Sequence, residues 1–209
     1  MDPVLLLTIL FYTGLIVEAM TGAITAGEQQ MDLFGVLVVA TVTAFGGGVI
    51  RDILLGRSPM LFIAKPELLF LTSAAALIMV IIARYFNKLR WVFLALDALG
   101  LITFSIVGAI RAQEMGFGIG VASISGITTG VFGGILRDML CNRIPLAFRK
   151  ELYASVSIIS VWLYLLLDKF GEPMALSVPL TLVLGFCLRM LAVKYDWRIP
   201  QFVYIAKPR

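Results

Sequence analysis

The chain has no histidine at all and only two cysteines, Cys141 and Cys187, among its 209 residues. Without imidazole there can be no histidine general base and no His-ligated metal. The two cysteines lack zinc spacing and are too few for a disulfide framework, so both are expected to serve packing where thiols stay reduced. Charge is scarce too: Asp, Glu, Lys and Arg make up 14% of the residues, against roughly 25% in a soluble domain. There is no Walker loop, no nucleophile elbow and no strand-linked glycine fingerprint, so no enzymatic chemistry and no bound cofactor are expected. No low-complexity linker divides the chain. The start, Met1-Asp2-Pro3, puts no basic stretch before the first apolar run. That run therefore reads as a retained helix rather than a cleaved signal.

What the chain does contain is apolar sequence. It is 60% hydrophobic, with a mean hydropathy of +0.99. About twenty apolar residues cross a bilayer as a helix, and seven such segments can be drawn: 3–25, 31–55, 67–85, 91–111, 117–140, 148–168 and 174–194. The expectation is an all-α membrane protein, one transmembrane domain over residues 1–209. Lys65-Pro66-Glu67, Asn87-Lys88 and Gly171-Glu172-Pro173 punctuate it.

A short string occurs twice. Residues 46–52 read Gly46-Gly47-Gly48-Val49-Ile50-Arg51-Asp52, and residues 132–138 read Phe132-Gly133-Gly134-Ile135-Leu136-Arg137-Asp138. The offset is 137 − 51 = 86, and the same register links Arg57 to Arg143, Pro59 to Pro145, Thr43 to Thr129, Glu28 to Glu114, Gly14 to Gly100 and Gly22 to Gly108. Two repeats follow, about 3–85 and about 91–168, with the segment 174–194 left over as a brace. Each repeat holds three segments, an odd number. The second must then insert upside down, related to the first by a pseudo-two-fold axis in the membrane plane. Such inverted repeats usually place a transport site near the midplane between them.

Basic residues set the orientation. One face collects Arg84, Lys88, Arg90, Arg143, Arg149, Lys150, Lys194, Arg198, Lys207 and Arg209; the other collects Arg57, Lys65, Arg111 and Lys169. The richer face should be cytoplasmic, with the N-terminus outside and the C-terminus inside. The net charge of +4 is accounted for in this way, and nucleic-acid binding is not expected.

The residues that carry chemistry lie within the spans. Glycine costs roughly 0.8–1 kcal/mol in a helix interior relative to alanine. Gly46, Gly47 and Gly48 in the second segment, and Gly133 and Gly134 in the fifth, therefore permit a kink or broken turn whose freed carbonyls face a path. Their alternative use is close helix packing, since Ala40, Ala44 and Gly48, and Gly126, Gly130 and Gly134, form small-residue stripes. Thr43 and Thr129, which precede the glycines, either line the path or bond back to their own helices. Arg51, Asp52, Arg137 and Asp138 are costly in hydrocarbon. Sequence neighbours point about 100° apart on a helix, so each is expected to seek a partner on another segment. Asp97 is placed to meet Arg137, and Arg51 and Asp52 to meet groups near the first or fifth segment. The alternative is snorkelling to the interface. Glu18 and Asp97 have no acidic mates at the 86-residue offset, where Phe104 and Phe11 stand instead. Facing a watery path, such acids attract cations; otherwise they are structural ion-pair members.

The doubled Gly-Gly-x-x-Arg-Asp, the Arg-x-Pro after it and the seven spans resemble the bacterial branch of the trimeric intracellular cation (TRIC) channels. The resemblance covers essentially the whole chain. It implies a homotrimer in the bacterial inner membrane, with lipid around it and a potassium-permeable pore in each protomer. It also implies kinks at Gly46, Gly47, Gly48, Gly133 and Gly134, with the four Arg and Asp residues beside them. Phe132 stands where the first copy has Gly46, so the fifth segment is expected to be the stiffer. The competing reading is a secondary carrier for a small solute such as glycine, because inverted repeats are equally typical of carriers.

Overall fold

The computed structural model describes residues 3–85, 89–148 and 152–197. Asn87, Lys88, Arg149, Lys150, Arg198, Lys207 and Arg209, used above for punctuation and orientation, lie outside the described residues. The described residues form eight α-helices: α1 (Pro3–Glu28), α2 (Leu33–Leu54), α3 (Leu61–Ala64), α4 (Leu68–Ala83), α5 (Leu89–Glu114), α6 (Ile119–Leu140), α7 (Tyr153–Lys169) and α8 (Met174–Lys194). A short 3-10 turn, Leu146–Phe148, lies between α6 and α7. No strand occurs among the described residues.

Seven long helices lie on the seven apolar segments. Five of them, α1, α2, α5, α6 and α8, are long and apolar enough to cross a membrane; α4 and α7 are shorter, at 16 and 17 residues. The four-residue α3 was not foreseen. Nor was the late start of α7 at Tyr153, against an expected 148, because Leu146–Phe148 forms the 3-10 turn instead.

The elements recur at the 86-residue offset: α1 and α5, and α2 and α6, begin and end 86 residues apart. The turns recur as well. Gln30 and its equivalent Gly116 both have positive φ (56° and 82°), as do Gly56 and its equivalent Asn142 (66° and 52°). In the second pair the following amide closes the helix end: Arg57 N–H donates to the Asp52 carbonyl and Arg143 N–H to that of Asp138, each at 2.8 Å. This is the left-handed helix stop that glycine and asparagine favour. At the start of α2 the Asp32 side chain accepts from Gly35 N–H at 2.7 Å, an N-cap.

Contacts between the halves are reciprocal. A methyl group built on Gly133 would lie 2.5 Å from the Thr43 carbonyl oxygen, and one on Gly47 would run into the Thr129 carbonyl. Gly22 faces Ala40 and Thr43 of α2, while Gly108 faces Ser125 and Thr129 of α6. Gly14 abuts Phe104, and Gly100 abuts Glu18. Gly133–Thr43 and Gly47–Thr129, Gly22–Thr43 and Gly108–Thr129, and Gly14–Phe104 and Gly100–Glu18 map onto each other when the offset is applied, which is the signature of a two-fold relation. Thus α2 and α6 cross at the centre, with α1 and α5 paired beside them. The core divides accordingly, one cluster joining α1, α2 and α4 and another joining α1, α5, α7 and α8. Cys141 is buried there, whereas Cys187 is exposed on α8.

Candidate functional site

The expected break at the glycines is not what the structure has. Both α2 and α6 run as uninterrupted helices through Gly46–Gly48 and Gly133–Gly134. The missing Cβ atoms are used for approach: Gly47 and Gly133 receive the facing backbone, Gly46 receives Leu136, and Gly134 receives the Tyr153 hydroxyl. Gly48 alone of the five is open, its nearest neighbour being Arg51 Nη2 at 3.7 Å from the built methyl. Of the two readings of Thr43 and Thr129, the structure has the back-bond. Both are buried and bond back, donating to the Val39 and Ser125 carbonyls at 2.6 and 2.7 Å. The two hydroxyls lie against Gly22 and Gly108, with their protons taken by their own helices.

Arg51, Asp52, Arg137 and Asp138 are all buried, so they do not snorkel. The expectation that neighbours would not pair is overturned. Arg51 donates through Nε and Nη2 to Asp52 Oδ1 at 3.0 and 2.8 Å, and Arg137 Nε donates to Asp138 Oδ1 at 2.9 Å. The long arginine stem curls back across the 100° between successive side chains and closes the pair. The second oxygen of each aspartate steers the chain beyond: Asp52 Oδ2 accepts from Leu61 N–H at 3.3 Å, and Asp138 Oδ2 from Leu146 N–H at 2.9 Å. The doubled motif therefore ties each central helix to its own re-entry turn.

The second half adds a denser cluster. Arg137 Nη1 donates to Asp97 Oδ1 at 2.7 Å, as the sequence predicts, and to Thr21 Oγ1 at 3.2 Å. Phe93 lies under the guanidinium, 4.8 Å from ring centroid to Cζ. Tyr153 O–H donates to Asp97 at 3.5 Å, and Arg189 of α8 stacks over the Tyr153 ring at 5.0 Å. Glu18 is buried beside Thr21, whose hydroxyl lies 3.4 Å from Oε2. Glu18 Oε1 and Asp97 Oδ2 find no hydrogen-bond partner among the described residues. The interior thus holds three carboxyl groups, those of Glu18, Asp97 and Asp138, around Arg137, and two of their oxygens lack a hydrogen-bond partner among the described residues.

Thr21, Tyr153 and Arg189 were not anticipated. Arg189 had a signal, being an ionisable residue within an apolar span. Thr21 and Tyr153 had none, since a hydroxyl in a span is usually satisfied by its own helix.

A sequence profile of the family described as "Glycine transporter" matches residues 8–84 and 94–169, once in each half. The inner membrane protein YadS of Escherichia coli K12, named as UPF0126, is 34% identical over 191 residues, covering 90% of this chain and 92% of that protein. The chain belongs to the UPF0126 membrane-protein family. The Bacillus subtilis family member YvgT is 34% identical over 198 residues, with 90% and 92% covered. Among solved structures, the TRIC trimeric intracellular cation channel orthologue from Rhodobacter sphaeroides superposes with a TM-score of 0.87 at 32% identity, covering 91% of this chain and 98% of that one. This UPF0126 chain therefore has the bacterial TRIC fold.

Proposed function

We propose that the protein is a cation channel of the inner membrane, with potassium as its main permeant ion and a path inside each protomer between two inverted repeats, 3–85 and 91–168. The observation that carries this reading is the buried cluster of Glu18, Asp97 and Asp138 around Arg137, two of whose carboxylate oxygens have no partner among the described residues. Buried acids with spare lone pairs favour a cation over an anion. The likeness to a protein titled a cation channel, over 91% of this chain, supports the same reading.

The seven long helices then act as seven spans, with α8 bracing the bundle. We place the bend between conducting states at Gly48, which alone of the five glycines has room beside it. Self-association as a homotrimer follows the orthologue, titled trimeric, and the outward-facing Leu176, Leu180, Val183, Leu184 and Leu191 of α8 suit lipid or a second copy. The N-terminus lies outside and the C-terminus in the cytoplasm. The Arg143–Glu28 pair at 2.6 Å puts the ends of α1 and α6 on one face, and the Gln113–Asp168 hydrogen bond at 2.8 Å puts the ends of α5 and α7 on one face.

Planar-bilayer recording of purified protein under a potassium chloride gradient tests the proposal. Unitary currents reversing near the potassium potential are expected, and Glu18→Gln is expected to move the reversal potential toward zero. Silence of folded, reconstituted protein refutes the channel. The second reading, a carrier for a small solute, rests on the family's description as a glycine transporter. It predicts saturable glycine uptake without unitary conductance.

A further inference from the structure

Arg51 and Arg137 are equivalent positions, 86 residues apart, but their surroundings differ. Arg137 is held on two sides, by Asp138 at 2.9 Å and by Asp97 at 2.7 Å. Arg51 is held on one, by Asp52. Where the second half has Asp97, the first has Phe11. Beside Arg51 lies a cavity of about 240 Å³, lined in part by Phe11, Tyr12, Arg57, Lys65 and Arg111, and no carboxylate lines it.

A second pairing is missing at the same place. Glu28 pairs with Arg143 at 2.6 Å. Their equivalents are Glu114 and Arg57, yet Glu114 is taken by Arg111 at 2.7 Å, an arginine whose equivalent is Thr25. Arg57 is left with Asp52 at 3.8 Å. Around one cavity, two guanidinium groups thus each lack a carboxylate that the other half supplies. Arg51 is only 3% exposed, so its unfilled edge is largely withdrawn from bulk water. Charge-assisted bonds to a carboxylate are strongest in such a setting.

We propose that this cavity binds a small carboxylate, which takes on Arg51 the place that Asp97 takes on Arg137. The site accepts a simple monocarboxylate such as acetate in preference to a zwitterion such as glycine, because no lining acid receives an ammonium group. The cavity opens at the ends of α2 and α5, on the face of the N-terminus. On the channel reading, a bound carboxylate lowers the positive potential at this mouth; the binding itself does not depend on that reading.

Isothermal titration calorimetry of the detergent-purified full chain, at matched ionic strength, tests the proposal with sodium acetate, glycine, sodium phosphate and sodium chloride. Saturable acetate binding is expected, about tenfold or more tighter than glycine, with none for chloride. Phe11→Asp supplies the carboxylate internally and is expected to abolish acetate binding while apo thermal stability holds or rises. Arg57→Gln, a half-buried position outside the helices, is expected to keep the fold and weaken acetate binding about tenfold. The proposal is overturned by acetate binding no better than chloride, by binding of phosphate alone, or by folded Phe11→Asp that binds acetate like wild type. Should Phe11→Asp not fold, unchanged acetate affinity in Arg57→Gln overturns it.

Discussion

Replacing Gly133 by alanine puts a methyl carbon 2.5 Å from the Thr43 carbonyl oxygen, whereas ordinary contact begins at 3.4 Å. The difference, 3.4 − 2.5, requires α2 and α6 to part by 0.9 Å at their crossing. The obstructing atom belongs to helical backbone, so no rotamer change relieves it. Overpacking of this kind costs about 1–3 kcal/mol, and a rigid neighbour puts it in the upper part of that range. Alanine returns about 0.8–1 kcal/mol of helix propensity. The net expectation is a loss of about 1–2 kcal/mol for Gly133→Ala, and at least as much for its mirror Gly47→Ala, whose methyl runs deeper into the facing carbonyl. Gly48→Ala is the internal control: its methyl meets nothing nearer than Arg51 Nη2 at 3.7 Å. It should be stabilising by up to about 1 kcal/mol. Reversible unfolding in mixed micelles, followed by far-ultraviolet circular dichroism, reads all three. If Gly47→Ala and Gly133→Ala shift stability in the same direction as Gly48→Ala, the glycines serve chain flexibility rather than close approach, and the argument for the crossing fails.

Further outcomes follow from the charges. Arg137→Gln strips Asp97 and Asp138 of their buried cation, and breaking such a pair costs about 3–5 kcal/mol; the yield of monodisperse protein in size-exclusion chromatography should collapse. Arg51→Gln orphans only Asp52, so its loss in the same assay should be the smaller. Arg143→Ala removes a half-exposed pair with Glu28 and should cost less than about 1 kcal/mol, read as a small shift in thermal melting.

Much of the architecture was legible from the residues. The 86-residue register of Arg51 and Arg137 located the two halves, and the doubled glycines lie where α2 crosses α6. The Asp97–Arg137 pair was also legible, because an isolated acid in a span demands a cation at similar depth. The glycines were harder to read. A Gly-Gly string is compatible with a broken turn and with a close crossing, and only the facing atom distinguishes them. Thr129 O lies 82 residues from Gly47, and nothing local announces it. The Arg-Asp pairing was missed for a different reason: helical-wheel angles describe where Cβ atoms point, not where a flexible arginine head can return.

The sequence by itself determined the class of protein, its helical spans, its internal duplication and the short list of charged residues that matter, because hydropathy and identity at a fixed offset are properties of the chain alone. Only the tertiary structure decided that the two halves meet through reciprocal glycine contacts, that Glu18, Thr21 and Tyr153 gather with Asp97 at Arg137, and that Arg51 faces a basic cavity where its counterpart meets a second carboxylate. Those facts depend on which side chain from a distant helix arrives at a given depth. A single substitution, Phe11 in place of an aspartate, changes the chemistry of a site whose other members lie up to 100 residues away.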